Sequence, residues 1–291
     1  MPNLKLNRIL KYILVMSAVF SFTISEGQQI FQKEYSGGQV WQQILENDNG
    51  YFFAGHKLLL GNYSHQICVY HIDHSGNIIW AKHVGDNFPA GEFVYDYTFS
   101  HDSSAILFVG QKKPTASSSY NNTLIFKMDI NGNLLWFKLL GDTLNNRSFI
   151  IYPFESFYYI GGISYYNLTE DTGGLASILK IDENGSLISE FHYSFNNGTS
   201  LGIYGIFRDS SNIYIAGGYR DYLTHNSDIL FTILDTSGNL ISSKIFGTPM
   251  EDYVSSIISD NNGNLIISGN SLGFGNFYRY FTKIDNSGNI M

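Results

Sequence analysis

The chain of 291 residues is 44% apolar and 14% charged, with a formal charge of −8, a composition that builds a globular core and excludes a disordered chain. Its acidity, and the lack of any run of five Lys and Arg, argue against nucleic acid or an anionic membrane surface as partner, since either demands a basic patch. The single cysteine, Cys68, excludes an internal disulfide, and its place between Ile67 and Val69 reads as a small buried apolar residue.

Residues 1–27 have the order of a secretory signal peptide: Lys5, Arg8 and Lys11 precede the apolar run 12–20, and small residues follow at Ser25 and Gly27. The run is short for a membrane span, a retained anchor being the alternative. Cleavage removes three basic residues and Glu26, leaving 14 basic against 24 acidic residues in one domain, 28–291, with no second segment apolar enough to span a membrane. A secreted or cell-surface protein is expected.

From residue 72 onward one pattern is written five times: an apolar strand, an Asp-x-x-Gly-Asn turn (Ser186 for Asn in the third copy) and a second apolar strand, as in Ile72-Asp73-His74-Ser75-Gly76-Asn77-Ile78-Ile79-Trp80. The turn aspartates, Asp73, Asp129, Asp182, Asp235 and Asp285, are 56, 53, 53 and 50 residues apart. A second landmark, an apolar strand ending in Gly, recurs at Gly55, Gly110, Gly161, Gly217 and Gly269. Such a period, with four short alternating strands a to d in each unit, predicts an all-β protein of radially repeated sheets, a β-propeller.

The first repeat reads a Val40–Leu45, b Tyr51–Gly55, c Ile67–Asp73, d Asn77–Val84, and the second Val94–Phe99, Ala105–Gly110, Leu124–Asp129, Asn133–Leu140. The third reads Ser148–Pro153, Phe157–Gly161, Ala176–Asp182, Ser186–Tyr193, and the fourth Gly202–Phe207, Ile213–Gly217, Asp228–Asp235, Asn239–Phe246. The fifth has Tyr253–Ser259, Leu265–Gly269 and Tyr278–Asp285, with strand d only begun at Met291. Gln29–Tyr35 supplies what that blade lacks, for Phe31 and Lys33 match Trp80 and Lys82 of a d strand. Pairing them closes a ring of five four-stranded blades and removes the open edge; a piece of a longer propeller is the alternative.

The order of apolar strand, Asp-x-x-Gly-Asn, aliphatic pair and Trp-x-Lys, clearest at Trp80-Ala81-Lys82 and Trp136-Phe137-Lys138, resembles the SBBP-type, seven-bladed-propeller-like repeat of secreted microbial proteins. Ser189 and Ser242 stand where the Trp would be in repeats three and four. The resemblance implies a fold and an extracellular setting but transfers no catalytic residue, and the family's usual blade number is above five.

Chemistry is less legible. The Asp turns invite a calcium reading, but the third acidic position and distal Glu of a calcium loop are missing, which leaves Asp as turn cap and Gly as the positive-φ residue. His65, His71 and His74 share a blade without metal-ligand spacing. The Gly and Trp of these strands are also similar to quinone-cofactor propellers, whose adjacent cysteine pair Cys68 alone cannot supply. No metal or cofactor is expected.

Five-bladed glycosidases are the enzymatic alternative, with carboxylates on inner strands as acid and base or nucleophile. The inner strands here offer Asp96 and, at strand starts, Glu92, Glu251 and Asp252. The favoured reading is a non-catalytic binding or scaffold propeller whose partner is an extracellular glycan or a surface protein. Its b–c loops read as long, unlike one another and aromatic, at Tyr63, Tyr120, Tyr165, Tyr166, Tyr222 and Phe274. Six glycosylation sequons occur, at Asn62, Asn121, Asn146, Asn167, Asn184 and Asn197, and all but Asn184 fall in loops of that same face.

Overall fold

A computed structural model describes residues 39–40, 43–59, 64–85, 91–115, 117–141, 145–165, 173–195, 198–260, 262–273 and 276–291. They form five antiparallel sheets and no helix. Blade one holds β1 (Gln39–Val40) and β2 (Leu45–Asn47), both paired to β3 (Gly50–Leu59), then β4 (Ser64–Ile72) and β5 (Ile78–Val84). Blade two is β6 (Phe93–Phe99), β7 (Ala105–Lys112), β8 (Asn122–Asp129) and β9 (Leu134–Leu140). Blade three is β10 (Asn145–Phe154), β11 (Phe157–Tyr165), β12 (Gly174–Asp182) and β13 (Leu187–Tyr193). Blade four is β14 (Gly198–Arg208), β15 (Asn212–Asp221), β16 (Ser227–Asp235) and β17 (Leu240–Phe246), and blade five is β18 (Glu251–Ser259), β19 (Leu265–Gly273) and β20 (Asn276–Ile284). The segment 29–35, expected to complete blade five, lies outside the described residues.

Alternation along each strand puts apolar side chains on both faces of a blade, so the core is divided among the junctions. One cluster joins Phe52, Ile67 and Val69 of blade one to Leu124 and Phe126 of blade two. Three more join blades two to three, three to four and four to five. At the far side of blade five the pattern is interrupted. The residue after the one facing the strand-b glycine is Val69, Ile125 and Phe231 in blades one, two and four, all buried. In blade five it is Phe281, 78% exposed.

The strand-b glycine does not end its strand: β3, β7, β11, β15 and β19 run on past it to Leu59, Lys112, Tyr165, Asp221 and Gly273. Its cause lies in the inner strand, which carries a β-bulge opposite it in blades two to five, after Val94, Ser148, Ile203 and Val254. A bulge drives a backbone carbonyl across the ladder. A Cβ on Gly110, Gly162, Gly217 or Gly269 would lie 1.8, 2.0, 2.4 or 2.1 Å from the carbonyl oxygen of Phe93, Arg147, Gly202 or Tyr253. In the third repeat the residue under this constraint is therefore Gly162, not Gly161.

The Asp turns are self-contained. Asp73 Oδ1 accepts from the amides of Ser75 and Asn77, and Oδ2 from the Asn77 side chain at 2.8 Å. Asp129, Asp235 and Asp285 repeat this set, and their hydrogen-bonded carboxylates are held below the usual range. With both oxygens so used, the carboxylate acts as turn cap. A sixth copy, Asp260 to Asn264, closes the β18–β19 hairpin.

The turns of blades two to five also receive the outer part of the preceding blade. Trp80 lies on Gly132 and donates to the Ile130 carbonyl at 3.1 Å, and Trp136 lies on Gly185. Where Ser replaces Trp, other residues take over: Phe191 covers Gly238 while Tyr193 donates to its carbonyl, and Phe231 covers Gly288 while Lys244 donates to Asn289. Positive φ at Gly132 (84°) and Gly185 (69°) and the ring contact both exclude a side chain there.

Candidate functional site

The bulges determine what the inner edge displays. The residue that each leaves out of the ladder is Tyr95 in blade two, Phe149 in blade three and Tyr204 in blade four. Their rings meet across the blades, Tyr95 to Phe149 at 5.4 Å and Phe149 to Tyr204 at 4.9 Å, the latter stacked. Gly202 makes room, since a Cβ there would stand 2.6 Å from the Phe149 ring. Phe93, 6.2 Å from Tyr95, carries the arc back to His56 and His65 of blade one. The result is an aromatic arc reaching from blade one to blade four, each bulge-borne ring only half-buried. Burial, with the neighbouring Tyr165, pushes the Tyr204 hydroxyl up to about 12, and that hydroxyl donates to the Leu201 carbonyl. Arg147 sits over the Tyr165 ring at 5.8 Å, its Nε buried without a hydrogen-bond partner.

The expected loop-face residues fare differently. Tyr120 is half-buried between β7 and β8, Tyr165 is the last residue of β11, and Tyr222 is 39% exposed in the turn after β15. Tyr63, Tyr166 and Phe274 lie outside the described residues. The b–c connections are shorter than the sequence suggests, residues 60–63, 113–121, 166–173, 222–226 and 274–275, because strand b continues beyond its glycine. Of the sequons, Asn184 is exposed in the β12–β13 turn, while Asn121 is half-buried with its Nδ2 donating to Asn145 at 2.9 Å. Asn146 is 8% exposed and accepts from Ser164, which stands against a glycan on the folded protein there. Asn62, Asn167 and Asn197 fall outside the described residues.

The carboxylates weighed for hydrolysis are mostly spent. Asp96 is buried, with Oδ1 accepting from Gln43 at 2.6 Å and Oδ2 from the Ile151 amide at 2.8 Å. It thereby ties three blades together, and burial raises its pKa to about 7 against the pull of those hydrogen bonds. Glu92 is buried in an ion pair with Lys112, and Glu251 accepts from the Tyr253 hydroxyl. Asp252 is buried too and accepts from the amide and hydroxyl of Thr248, but it also has a second acid beside it. A Cβ on Gly247 would lie 2.6 Å from its Oδ2 and 2.5 Å from Oδ1 of Asp228, so the two acids face each other at the junction of blades four and five. Burial and then the Asp252 charge raise the pKa of Asp228. Sequence reading missed Asp228 because it opens an outer strand, not an inner one.

Glu183 in the third turn was also missed, although its acid side chain in that turn was visible. It accepts from Lys127 Nζ at 2.8 Å and the Tyr158 hydroxyl at 2.6 Å, with His101 Nδ1 against the same oxygen as Tyr158. Burial raises its pKa, but these partners prevail and hold it at about 2. It staples blade two to blade three.

The three histidines of blade one lie apart: His65 on Phe93, His74 exposed beside Glu46, and His71 stacked on Phe52 at 4.0 Å. Neither ring nitrogen of His71 has a partner, and burial lowers its pKa; burial, with His65, lowers that of His56 to about 4. Both are neutral in the fold and charge more readily when unfolded, so the unfolded state binds more protons below about pH 6.5 and stability falls there. Replacement of His71 by Phe is expected to flatten part of the stability loss below about pH 6.5, measured by urea unfolding as pH is lowered. An unchanged profile would contradict this account.

No family model matches the chain, and no curated protein sequence matches it. Solved structures do. An endo-arabinase from Bacteroides thetaiotaomicron VPI-5482 aligns with TM-score 0.52 and 10% identity over 86% of this chain and 95% of that one. An exo-beta-1,3-galactanase from Clostridium thermocellum aligns with TM-score 0.53 and 8% identity, over 90% and 64%. A puromycin hydrolase aligns with TM-score 0.55 and 8% identity, over 88% of this chain but 39% of that one. At such identity the likeness is one of fold, and the fold is the β-propeller.

Proposed function

We propose that this is a secreted or cell-surface propeller of the repeat kind its turns resemble, and that it binds a carbohydrate chain without cleaving it, along the aromatic arc Tyr95, Phe149 and Tyr204. The observation that carries the reading is the shared bulge, which in three successive blades takes an aromatic residue out of the ladder and onto the inner edge. Bulges re-aim side chains next to functional sites, and the uncovered parts of these half-buried rings offer apolar surface to the C–H faces of sugars. The arabinan- and galactan-acting enzymes among the fold neighbours make those two polymers the first ligands to try.

Affinity electrophoresis in arabinan and galactan gels tests this. Phe149→Ala is expected to abolish retardation, a loss of roughly 1 kcal/mol or more per ring contact, with the fold retained by circular dichroism. Equal retardation of wild type and variant would sink the arc as the site. The pair Asp228 and Asp252 supports a second reading, hydrolysis by two facing carboxylates with Asp228 as acid. Reducing-sugar release lost in both Asp228→Asn and Asp252→Asn would establish it.

A further inference from the structure

The outer strands of blade three face blade two with side chains unlike those that blade two turns toward blade one. Blade two faces blade one with Leu124 and Phe126 of β8 and Phe137 and Leu139 of β9, all in the core. Blade three places Ser177, Leu179, Glu190 and His192 at the same four positions: Ser177 pairs with His192 as Leu124 does with Leu139, and Ser177 faces Gly162 as Leu124 faces Gly110. Three large apolar residues have become a hydroxyl, a carboxylate and an imidazole. Between the outer strands of the two blades this leaves a cavity of about 380 Å³.

Its polar wall is built. Ser177 and Asn146 are each 8% exposed, and Asn146 is oriented by Ser164. Oε1 of Glu190 and Nε2 of His192 pair at 2.9 Å. Leu140 and Leu179 form the other wall.

We propose that this cavity binds a single pyranose sugar, hydroxyls toward Ser177, Asn146 and the Glu190–His192 pair, C–H face toward the leucines. The paired carboxylate and imidazole suit a neutral ligand, and a mixture of donors and acceptors suits hydroxyls, which are both. The volume is at the low end of ligand pockets, which run from about 300 to 1,000 Å³, and fits one ring rather than a chain. The site stands on residues separate from the aromatic arc.

Calorimetric titration of the bacterially produced, glycan-free protein with free glucose, galactose, mannose, arabinose and N-acetylglucosamine tests it. At least one sugar is expected to bind at one site with Kd on the order of 1 mM or below. The double variant Glu190→Phe, His192→Leu rebuilds the wall of blade two and is expected to weaken that binding by about tenfold or more without lowering Tm. Ser177→Ala, which cannot fill the cavity, should also weaken it, while Phe149→Ala should leave it unchanged, so that failure of the arc and failure of this cavity are told apart. Absence of binding by all five sugars, or unchanged affinity in a folded refilled variant, overturns the proposal. If the double variant does not fold, unchanged affinity in Ser177→Ala overturns it alone.

Discussion

Deletion of residues 28–36 is expected to lower the melting temperature by roughly 10 °C or more, or to send the protein into aggregates. The expectation rests on two independent observations. In sequence, Phe31 and Lys33 match the d-strand residues Trp80 and Lys82. In the fold, blade five has three strands among the described residues, and only the lower end of β20 is met, by Ile290 bridged to Ile284 and Met291 donating to Lys283. A strand laid along β20 would complete the sheet and bring blade one against Phe281. Losing it exposes a strand edge and uncovers a junction worth several kcal/mol, and each kcal/mol shifts Tm by about 2–4 °C at this size. Phe281→Ser in the full chain gives a second measurement. In a closed ring it should cost about 3 kcal/mol, as truncation of a buried Phe does, whereas a side chain left 78% exposed should be nearly indifferent. A stable, soluble deletion together with a silent Phe281→Ser would rule closure out.

The second large effect is expected at Asp96. Truncation to Ala removes the acceptor of the Ile151 amide and one acceptor of the Gln43 side chain at once, leaving the Ile151 amide unpaired and the half-buried Gln43 with the Tyr97 carbonyl. The expected cost is about 2–3 kcal/mol, read from urea unfolding. Asp96→Asn keeps the shape but sets an NH2 against one of those donors, so an intermediate loss is expected. The pH dependence carries its own signature. With the folded pKa raised to about 7, the folded state holds more protons than the unfolded one between about pH 4 and 7, so this group's contribution declines as pH rises through that window. The gap between wild type and Asp96→Asn should therefore narrow from pH 4 to 7. A gap that widens would show the carboxylate to be ionised and stabilising throughout.

Asp96 also shows how far the sequence could be read. An acid on an inner strand looks the same on paper whether it lines a reaction centre or ties blades together; the difference lies in Gln43 and Ile151, more than fifty residues away on either side. The blade order was legible because Asp, Gly and Asn in the turns act locally, and the same local logic should have revealed Asp260-Asn261-Asn262-Gly263-Asn264 as a sixth copy. The glycines of strand b were visible, but their cause was not. A glycine required by a neighbour's displaced carbonyl reads the same as one that ends a strand, and so the bulges, and with them Tyr95, Phe149 and Tyr204, stayed hidden. Glu190 and His192 were equally opaque. On an outer strand they pass for surface residues until the register sets them against Phe137 and Leu139.

The contacts between outer strands and turns bear on assembly of the chain. A fold made of five similar units runs the risk that one unit docks against the wrong neighbour while the chain is collapsing. Here the described seams use three kinds of pairing: an indole on a glycine at Gly132 and at Gly185, the first with a bond to Ile130, a phenyl and a phenol on Gly238, and a phenyl and an ammonium on the Gly288 turn. A bulky ring presented to a turn shaped for another finds its polar tip without an acceptor or its face without a seat. The irregularities that blur the repeat on paper thus serve as addresses, each unit carrying the mark of the one that must follow it.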